Sequence, residues 1–390
     1  MTAAFLERKI TLAKLELIAT STFGLEAVVK REVEALGYKI LQSENGKISF
    51  LGDERAVAKA NLWLRCADRV QIKLAEFEAK TFTELFEQTK ALPWEQWIPM
   101  DGQINVSGSS VKSQLHSVPA CQGMVKKAII EKLKETYFIE EFPETGLPFA
   151  LKVTILKDRV TLTLDTTGEG LHKRGYRVAP VAAPIKETLA AAMVQLSFWK
   201  PGRLLVDPFC GSATIAIEAA MIERNIAPGL TRHFWAEDWD YIPASVWKEE
   251  RRAAYEAVDY DKEINILACD IDPQTVEAAR QNVEEAGVVD CVTVKCADAR
   301  KMVAEEDFGV IITNPPYGQR IGEKEQLPKL YKSLRAFMEK HPTWSMYLIT
   351  SDKDFEGQMM RPADRRRKLY NGRLETCLYQ YYGTRPPKEQ

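Results

Sequence analysis

The chain has 390 residues, a formal net charge of −2, 45% hydrophobic and 28% charged residues. That is the balance of a folded globular protein with length for two or three domains at ~150 residues each. It excludes a disordered chain, a collagen-like chain and a disulfide-stapled mini-protein, and any nucleic-acid partner must be met by a local basic face.

Glu7, Arg8 and Lys9 interrupt any signal-peptide core at the start. No apolar run approaches the ~18 residues of a membrane helix. Cys66, Cys121, Cys210, Cys269, Cys291, Cys296 and Cys377 are scattered without a C-x-x-C pair. No metal site is therefore expected, and the expected compartment is a reducing cytoplasm.

Residues 1–165 read as α+β. Leu15–Thr20 is apolar and strand-like, and Gly24–Gly37 carries Leu25, Val28, Val29, Val33 and Leu36 at helical spacing. Lys47–Leu51 reads as a strand and Glu54–Leu64 as a helix, a ferredoxin-like opening over residues 1–68. A second unit, 69–165, has strands expected at Val70–Phe77, Gln103–Ser107, Lys152–Ile155 and Val160–Asp165. Its segment Gly123–Thr136 alternates apolar and basic residues, with Lys126, Lys127, Lys132 and Lys134 on the outer face of a helix. A linker, 166–184, follows, with three glycines and the cations Lys173, Arg174 and Arg177.

Over residues 185–385 the pattern changes to apolar runs separated by helices, which points to a parallel α/β sheet. The strands fall at Leu204–Val206, Ile264–Cys269, Val292–Cys296, Val310–Thr313 and Met346–Thr350. Asn371-Gly372 then stands between two strand-like runs, the signal for a hairpin whose type I′ turn needs φ > 0 at both central residues. A mostly parallel sheet closed by an antiparallel hairpin has the outline of a class I methyltransferase.

Four strand ends carry the chemistry. Leu204–Thr214 runs a strand into Asp207-Pro208-Phe209-Cys210-Gly211 and then a helix, and the glycine permits close backbone approach of a ligand. It is neither a dinucleotide fingerprint nor a phosphate loop, because both glycine patterns are absent. Asp270, at the end of the next strand, is placed to accept from ribose hydroxyls. Asp272 is placed to cap the helix that opens with Pro273. Asp298 is placed to accept from an adenine amine. The fourth end is Asn314-Pro315-Pro316-Tyr317-Gly318. Its prolines fix φ and donate no N–H, so the Asn314 side-chain oxygen and the Pro315 carbonyl are held outward as two acceptors for one planar NH₂ group. The ring of Tyr317 offers a face for a base.

In this order, Asp207-Pro-Phe-Cys-Gly211-Ser and Asn314-Pro-Pro-Tyr-Gly318 resemble the S-adenosylmethionine-dependent amino-methyltransferases of nucleic-acid bases. Lys173-Arg-Gly-Tyr-Arg177 followed by Ala183-Pro-Ile-Lys-Glu187-Thr-Leu-Ala is similar to the bacterial RNA guanine-N2 methyltransferases with an N-terminal THUMP domain, close to those of the large ribosomal subunit. The resemblance implies ferredoxin-like and THUMP units that bind RNA, ahead of a Rossmann-like catalytic domain. It implies that Asp207, Phe209, Gly211, Asp270 and Asp298 line the S-adenosylmethionine pocket; Cys210, Ile271 and Ala299, beside them in the same turns, are expected to line it too. Lys186 and Glu187 match the helix that covers the methionine end of the cofactor, and Asn314 to Tyr317 match the target-base loop. Ala213 stands where such proteins often have a second glycine, and its methyl is expected to narrow the approach to the cofactor.

Lys126, Lys127, Lys173, Arg174, Arg177, Arg366 and Arg367 are the cations expected to grip RNA phosphates, with a solvated face as the plainer reading of each. Trp235, Trp239, Tyr241 and Trp247 read as packing for an insertion ahead of a base-stacking platform. Guanine-N2 methylation of RNA, most directly 23S rRNA, is the leading expectation. N6-adenine methylation of DNA or RNA and a non-catalytic RNA-binding assembly factor are its alternatives.

Overall fold

The structure, a computed structural model, describes residues 14–179, 184–317 and 323–387. The first ten residues, Ala183 and Gly318 lie outside the described residues. No helix among the described residues is long and apolar enough to cross a membrane.

The first half forms one seven-stranded sheet from β1 (Leu15–Ser21), β2 (Lys39–Glu44), β3 (Lys47–Gly52), β4 (Ala67–Glu78), β5 (Gln103–Val111), β6 (Pro148–Leu156) and β7 (Arg159–Asp165). Their spatial order is β2-β3-β1-β4-β7-β6-β5. The long strand β4 pairs antiparallel with β1 on one side and β7 on the other, so the two units expected over 1–68 and 69–165 share a sheet. Helix Glu26–Ala35 covers it with Val28, Val29 and Val33, all fully buried. β2 escaped the sequence reading because Lys-Ile-Leu-Gln-Ser-Glu is a mostly exposed edge strand with little apolar alternation.

The second half builds β8 (Leu205–Asp207), β9 (Ile266–Asp270), β10 (Val292–Cys296), β11 (Val310–Thr313), β12 (Ser345–Thr350), β13 (Arg365–Asn371) and β14 (Leu374–Tyr381). Their order is β10-β9-β8-β11-β12-β14-β13, with β8 to β12 parallel and β14 antiparallel to both neighbours. Strands buried on both faces need no polar alternation. β12 shows this, with all six residues buried. The strand order reverses between β8 and β11, and ligands of open α/β sheets bind at such a point.

The hairpin departs from expectation by one residue. Asn371 pairs with Leu374, which leaves Gly372 and Arg373 as the turn. Gly372 has φ +62°, and neither Asn371 nor Arg373 has a positive φ. Glycine first and no positive φ second is a type II′ turn, not the expected type I′. Asn371 therefore belongs to the strand.

One hydrophobic core runs through both halves, from Leu17 and Val28 to Leu189 and Ile217. The aromatic insertion packs, as expected, but partly on the first sheet: Trp239 stacks on Phe149 of β6 with ring centroids 5.3 Å apart. Tyr241 meets Trp97 at 4.4 Å. Polar bonds close the same seam, with Asn61 Nδ2 donating to Thr166 Oγ1 at 2.9 Å and Gly229 N donating to the Leu62 carbonyl at 2.9 Å.

Candidate active site

A cleft of about 1130 Å³ opens at the carboxyl ends of β8, β9, β10 and β11. β8 delivers Asp207, which is buried and accepts from the Thr313 hydroxyl at 2.6 Å and from Phe209 N at 3.2 Å. Burial first, and the nearby Asp270 charge second, push its carboxyl up to about 7. The turn that follows brings Phe209, Cys210 and Gly211 to the wall. Gly211 has φ +53°, and nothing lies within 4 Å of the place a Cβ would take, so the backbone there is open to a ligand. Ala213 also has a positive φ, +61°, at the start of helix Thr214–Glu223. Its methyl is fully buried in the core and does not line the cleft, so it narrows nothing there, contrary to the expectation.

β9 ends in Asp270. One of its oxygens accepts from Gly211 N at 3.2 Å and the other from Asp272 N at 3.1 Å, so the carboxylate ties two strand ends together. Asp272 caps helix Pro273–Glu285 as expected, accepting from Gln274 N and Thr275 N. Ile271 stands 61% exposed at the cleft lip. After β10, Asp298 and Ala299 complete this side. The Asp298 carboxylate is already paired with Arg300 at 2.7 Å, and that bond holds it down at about 2.

On the far side, Asn314, Pro315, Pro316 and Tyr317 follow β11 into the same cleft. The Tyr317 hydroxyl donates to Oδ1 of Asn314. The opposite wall comes from Leu327, Lys329 and Leu330 of helix Glu323–Lys340 and from Asn371, Gly372 and Leu374 of the hairpin. The sequence reading assigned no site role to these six. The hairpin was legible, but nothing local told that its turn faces the cleft.

The structure moves several expected residues elsewhere. Lys186 lines the cleft, whereas Glu187 turns to Arg177 at 3.2 Å and is absent from the wall. Arg174, expected on RNA, is 3% exposed and bonds to Glu218 at 3.2 Å and to the Leu171 and Arg65 carbonyls. A guanidinium enclosed in this way cannot reach a phosphate. Arg177 is likewise spent inward, on Glu187, the Ile185 carbonyl and Thr214. Arg367 donates to the Gly24 carbonyl and docks the hairpin against the turn that follows β1. Arg366 reaches Glu356 at 2.9 Å but stays largely exposed. Lys126 pairs with Glu144 at 2.8 Å, while Lys127 and Lys173 face solvent. Next to Lys173, His172 is pushed down to about 4 by burial and by the surrounding cations Lys186, Lys173, Arg174 and Arg232.

Cys210 is no nucleophile at neutral pH, because burial pushes its thiol far up. The donor set fits S-adenosylmethionine. Asp207, Asp270 and Asp298 offer acceptors and negative charge for a cation, a ribose diol and an amine, Gly211 offers open backbone, and Phe209 and Ile271 offer apolar surface for a purine.

Comparisons with known proteins agree with this fit. The family model described as RMKL-like, methyltransferase domain, matches residues 174–380. An RlmL ferredoxin-like domain matches 16–71 and a THUMP domain matches 79–165. The chain is 49% identical over 382 residues to "Putative RNA methyltransferase YpsC" of Bacillus subtilis, covering 97% of this chain and 98% of that protein. It is 33% identical over 385 residues to "Ribosomal RNA large subunit methyltransferase K/L" of Syntrophotalea carbinolica, covering 95% of this chain and 54% of that longer protein. Among solved structures, "a predicted N6-adenine-specific DNA methylase" from Listeria monocytogenes superposes with TM-score 0.91 at 50% identity, covering 95% of this chain and 97% of that one. "SMU.472, a putative methyltransferase complexed with SAH", superposes with TM-score 0.90 at 43% identity, covering 96% and 99%. The chain belongs to the RMKL-like methyltransferase family, and S-adenosylmethionine is its cofactor.

Proposed function

We propose that this enzyme methylates the exocyclic N2 amine of a guanine in RNA, with 23S rRNA of the large ribosomal subunit as the substrate and the cytoplasm as its place of work. The observation that carries the reading is the Asn314-Pro-Pro-Tyr317 loop in one cleft with the three strand-end carboxylates, on a chain whose first sheet contains a THUMP domain. The names of these two relatives support RNA, and one of them supports the large ribosomal subunit.

In this reading residues 1–68 and 69–165 hold RNA, 166–184 link, and 185–385 catalyse. Asp207, Phe209, Cys210, Gly211, Asp270, Ile271, Asp298 and Ala299 hold the cofactor, with Lys186 at its methionine end. The bound cofactor supplies an electrophilic methyl on a sulfonium. The guanine amine is conjugated into its ring and is a poor nucleophile. Two acceptors, Asn314 Oδ1 and the Pro315 carbonyl, turn its lone pair toward the methyl. With the cofactor bound, the guanine nitrogen would bond the methyl as the S–C bond breaks with its electron pair left on sulfur, and the amine proton, held by Asn314 Oδ1 or the Pro315 carbonyl, would pass to water. Tyr317 stacks on the base, which must be flipped or single-stranded to enter. Pro316 keeps the loop rigid.

Adenine N6 is the second reading, because two acceptors fit either amine and the Listeria structure carries that description. Single-turnover methyl transfer with saturating labelled cofactor tests the loop assignment. Asn314→Ala should lose ~10²–10³ in rate while cofactor affinity survives. A variant with wild-type rate would overturn the amino-methyltransferase reading.

A further inference from the structure

Trp239 and Trp247 of the insertion are buried and offer no face to RNA, but another aromatic pair stands open beside the cleft. Phe23, in the turn after β1, is 48% exposed. Its ring meets that of Tyr370 edge-on, with centroids 6.0 Å apart and planes at 75°. Tyr370 pairs with Glu375 across the hairpin, one rung from Asn371 and Leu374, which line the cleft. Phe198 is more exposed still, but it packs on Tyr382, beyond the end of β14 that points away from the cleft.

The turn that carries Phe23 is fastened on three sides. Gly24 has φ +93°, and a Cβ there would lie 2.7 Å from the Lys368 carbonyl oxygen, so only glycine brings the turn this close to β13. The Glu26 carboxylate accepts from Gly24 N at 2.8 Å and from Gly46 N at 2.9 Å, which ties the turn to the next helix and to the loop between β2 and β3. Arg367 of the hairpin donates to the Gly24 carbonyl.

One role for a ring in this place is to cover β13, the edge strand of its sheet. A cover stabilises by the apolar surface it takes from water, and nearly half of Phe23 stays in water. Cations stand at the margin. Lys368 Nζ lies 5.6 Å from the centre of the Tyr370 ring while it holds Glu375 at 2.7 Å. Arg373, in the turn between β13 and β14, is exposed and pairs with no acid among the described residues. An open ring edged by cations suits a single-stranded nucleic acid, whose bases stack on the ring while its phosphates meet the charges. A base that leaves its stack to enter the cleft leaves its neighbours with one face uncovered.

We propose that Phe23, held edge-on against Tyr370, is a stacking platform outside the cleft for an unpaired RNA base next to the target. The proposal rests on the RNA substrate given under the proposed function.

The test measures binding of a single-stranded RNA oligonucleotide of mixed sequence to the full chain and to Phe23→Leu and Phe23→Tyr, by fluorescence anisotropy at low salt. Phe23→Leu keeps an apolar cover over the strand edge but has no flat face. Its affinity should fall roughly tenfold, the worth of one stacked base. Phe23→Tyr keeps the face and should bind as the wild type does. Melting temperature and S-adenosylmethionine affinity should hold in both variants. Wild-type RNA affinity in Phe23→Leu would overturn the proposal and leave the ring as a cover for the edge. An equal loss in Phe23→Tyr would overturn it too.

A second measurement uses the unaltered chain. Ultraviolet crosslinking to oligouridine, followed by peptide mapping, should place a uridine on the peptide that holds Phe23. Mapped sites that leave this peptide out overturn the platform. If the chain transfers no methyl to RNA while Phe23→Leu still loses oligonucleotide binding, the functional reading fails and the platform stands. If methyl transfer is seen and Phe23→Leu binds as wild type, the platform alone fails.

Discussion

The Thr313 hydroxyl donates to Oδ1 of Asp207 at 2.6 Å and joins the end of β11 to the end of β8 across the point where the strand order reverses. The residue after Thr313 begins the Asn314-Pro-Pro-Tyr317 loop, and the residues after Asp207 form the open-backbone turn. One buried bond therefore extends the pairing of these two strands to the point where the two halves of the cleft diverge.

The same Asp207 should make cofactor binding depend on pH. Its carboxyl is raised to about 7, so its negative charge is absent below that pH and present above it. A cationic cofactor favours the ionised form and lowers that value on binding. Affinity should therefore climb as pH rises from 6 toward 7 and level off above, with protons released on binding. Calorimetry in two buffers of different ionisation heat checks this, and Asp207→Asn should flatten the profile. A wild-type affinity constant from pH 6 to 8 would count against Asp207 facing the cofactor charge.

Asp270 and Asp298 should not be equivalent. Asp270→Ala removes a ligand acceptor and also releases Gly211 N and Asp272 N. It should weaken cofactor binding roughly tenfold to a hundredfold, or ~1.5–3 kcal/mol. Asp298→Ala should cost less, because its half-buried carboxylate already shares itself with Arg300. RNA affinity should hold in both. Equal cofactor affinity in wild type and both variants would remove the strand-end carboxylates from the pocket.

Arg174→Ala should unfold rather than unbind. Removing the guanidinium breaks a fully buried ion pair and leaves Glu218 with only the Tyr176 hydroxyl and the nearby Arg65 charge, at a cost of roughly 3–5 kcal/mol. Thermal melts should show the loss, and the protein that remains folded should bind RNA as before. A stable variant with weakened RNA binding would restore Arg174 to the RNA face.

Lys127 and Lys173 face solvent and give the opposite pattern. Replacement of either by alanine in the full chain should leave the melting temperature in place. Each should lower the slope of log affinity for RNA against log salt by ~1, one phosphate contact apiece. Unchanged slopes would make them solvated surface only.

These residues also show where sequence reading succeeds. Asp207, Asp270 and Asn314 were legible because each ends a short apolar run, and a run buried on both faces reads plainly as a central parallel strand. Arg174 misled, because it stands in a glycine-rich stretch with Lys173 and Arg177, and its partner Glu218 lies 44 residues on. The available signal was Glu218 itself, a lone acid inside Thr-Ile-Ala-Ile-Glu-Ala-Ala-Met. A charge buried in an apolar helix requires a partner. Asn371 misled in another way: Asn-Gly is so strong a turn signal that it hid a strand residue and its side chain.

The central claim is settled by the product. Purified enzyme, labelled S-adenosylmethionine and 23S rRNA lacking the modification are incubated, and the RNA is digested to nucleosides and resolved by mass spectrometry. The account predicts label in N2-methylguanosine, one methyl per rRNA, and none with Asn314→Ala. Label in N6-methyladenosine, or transfer to DNA in place of RNA, would contradict it.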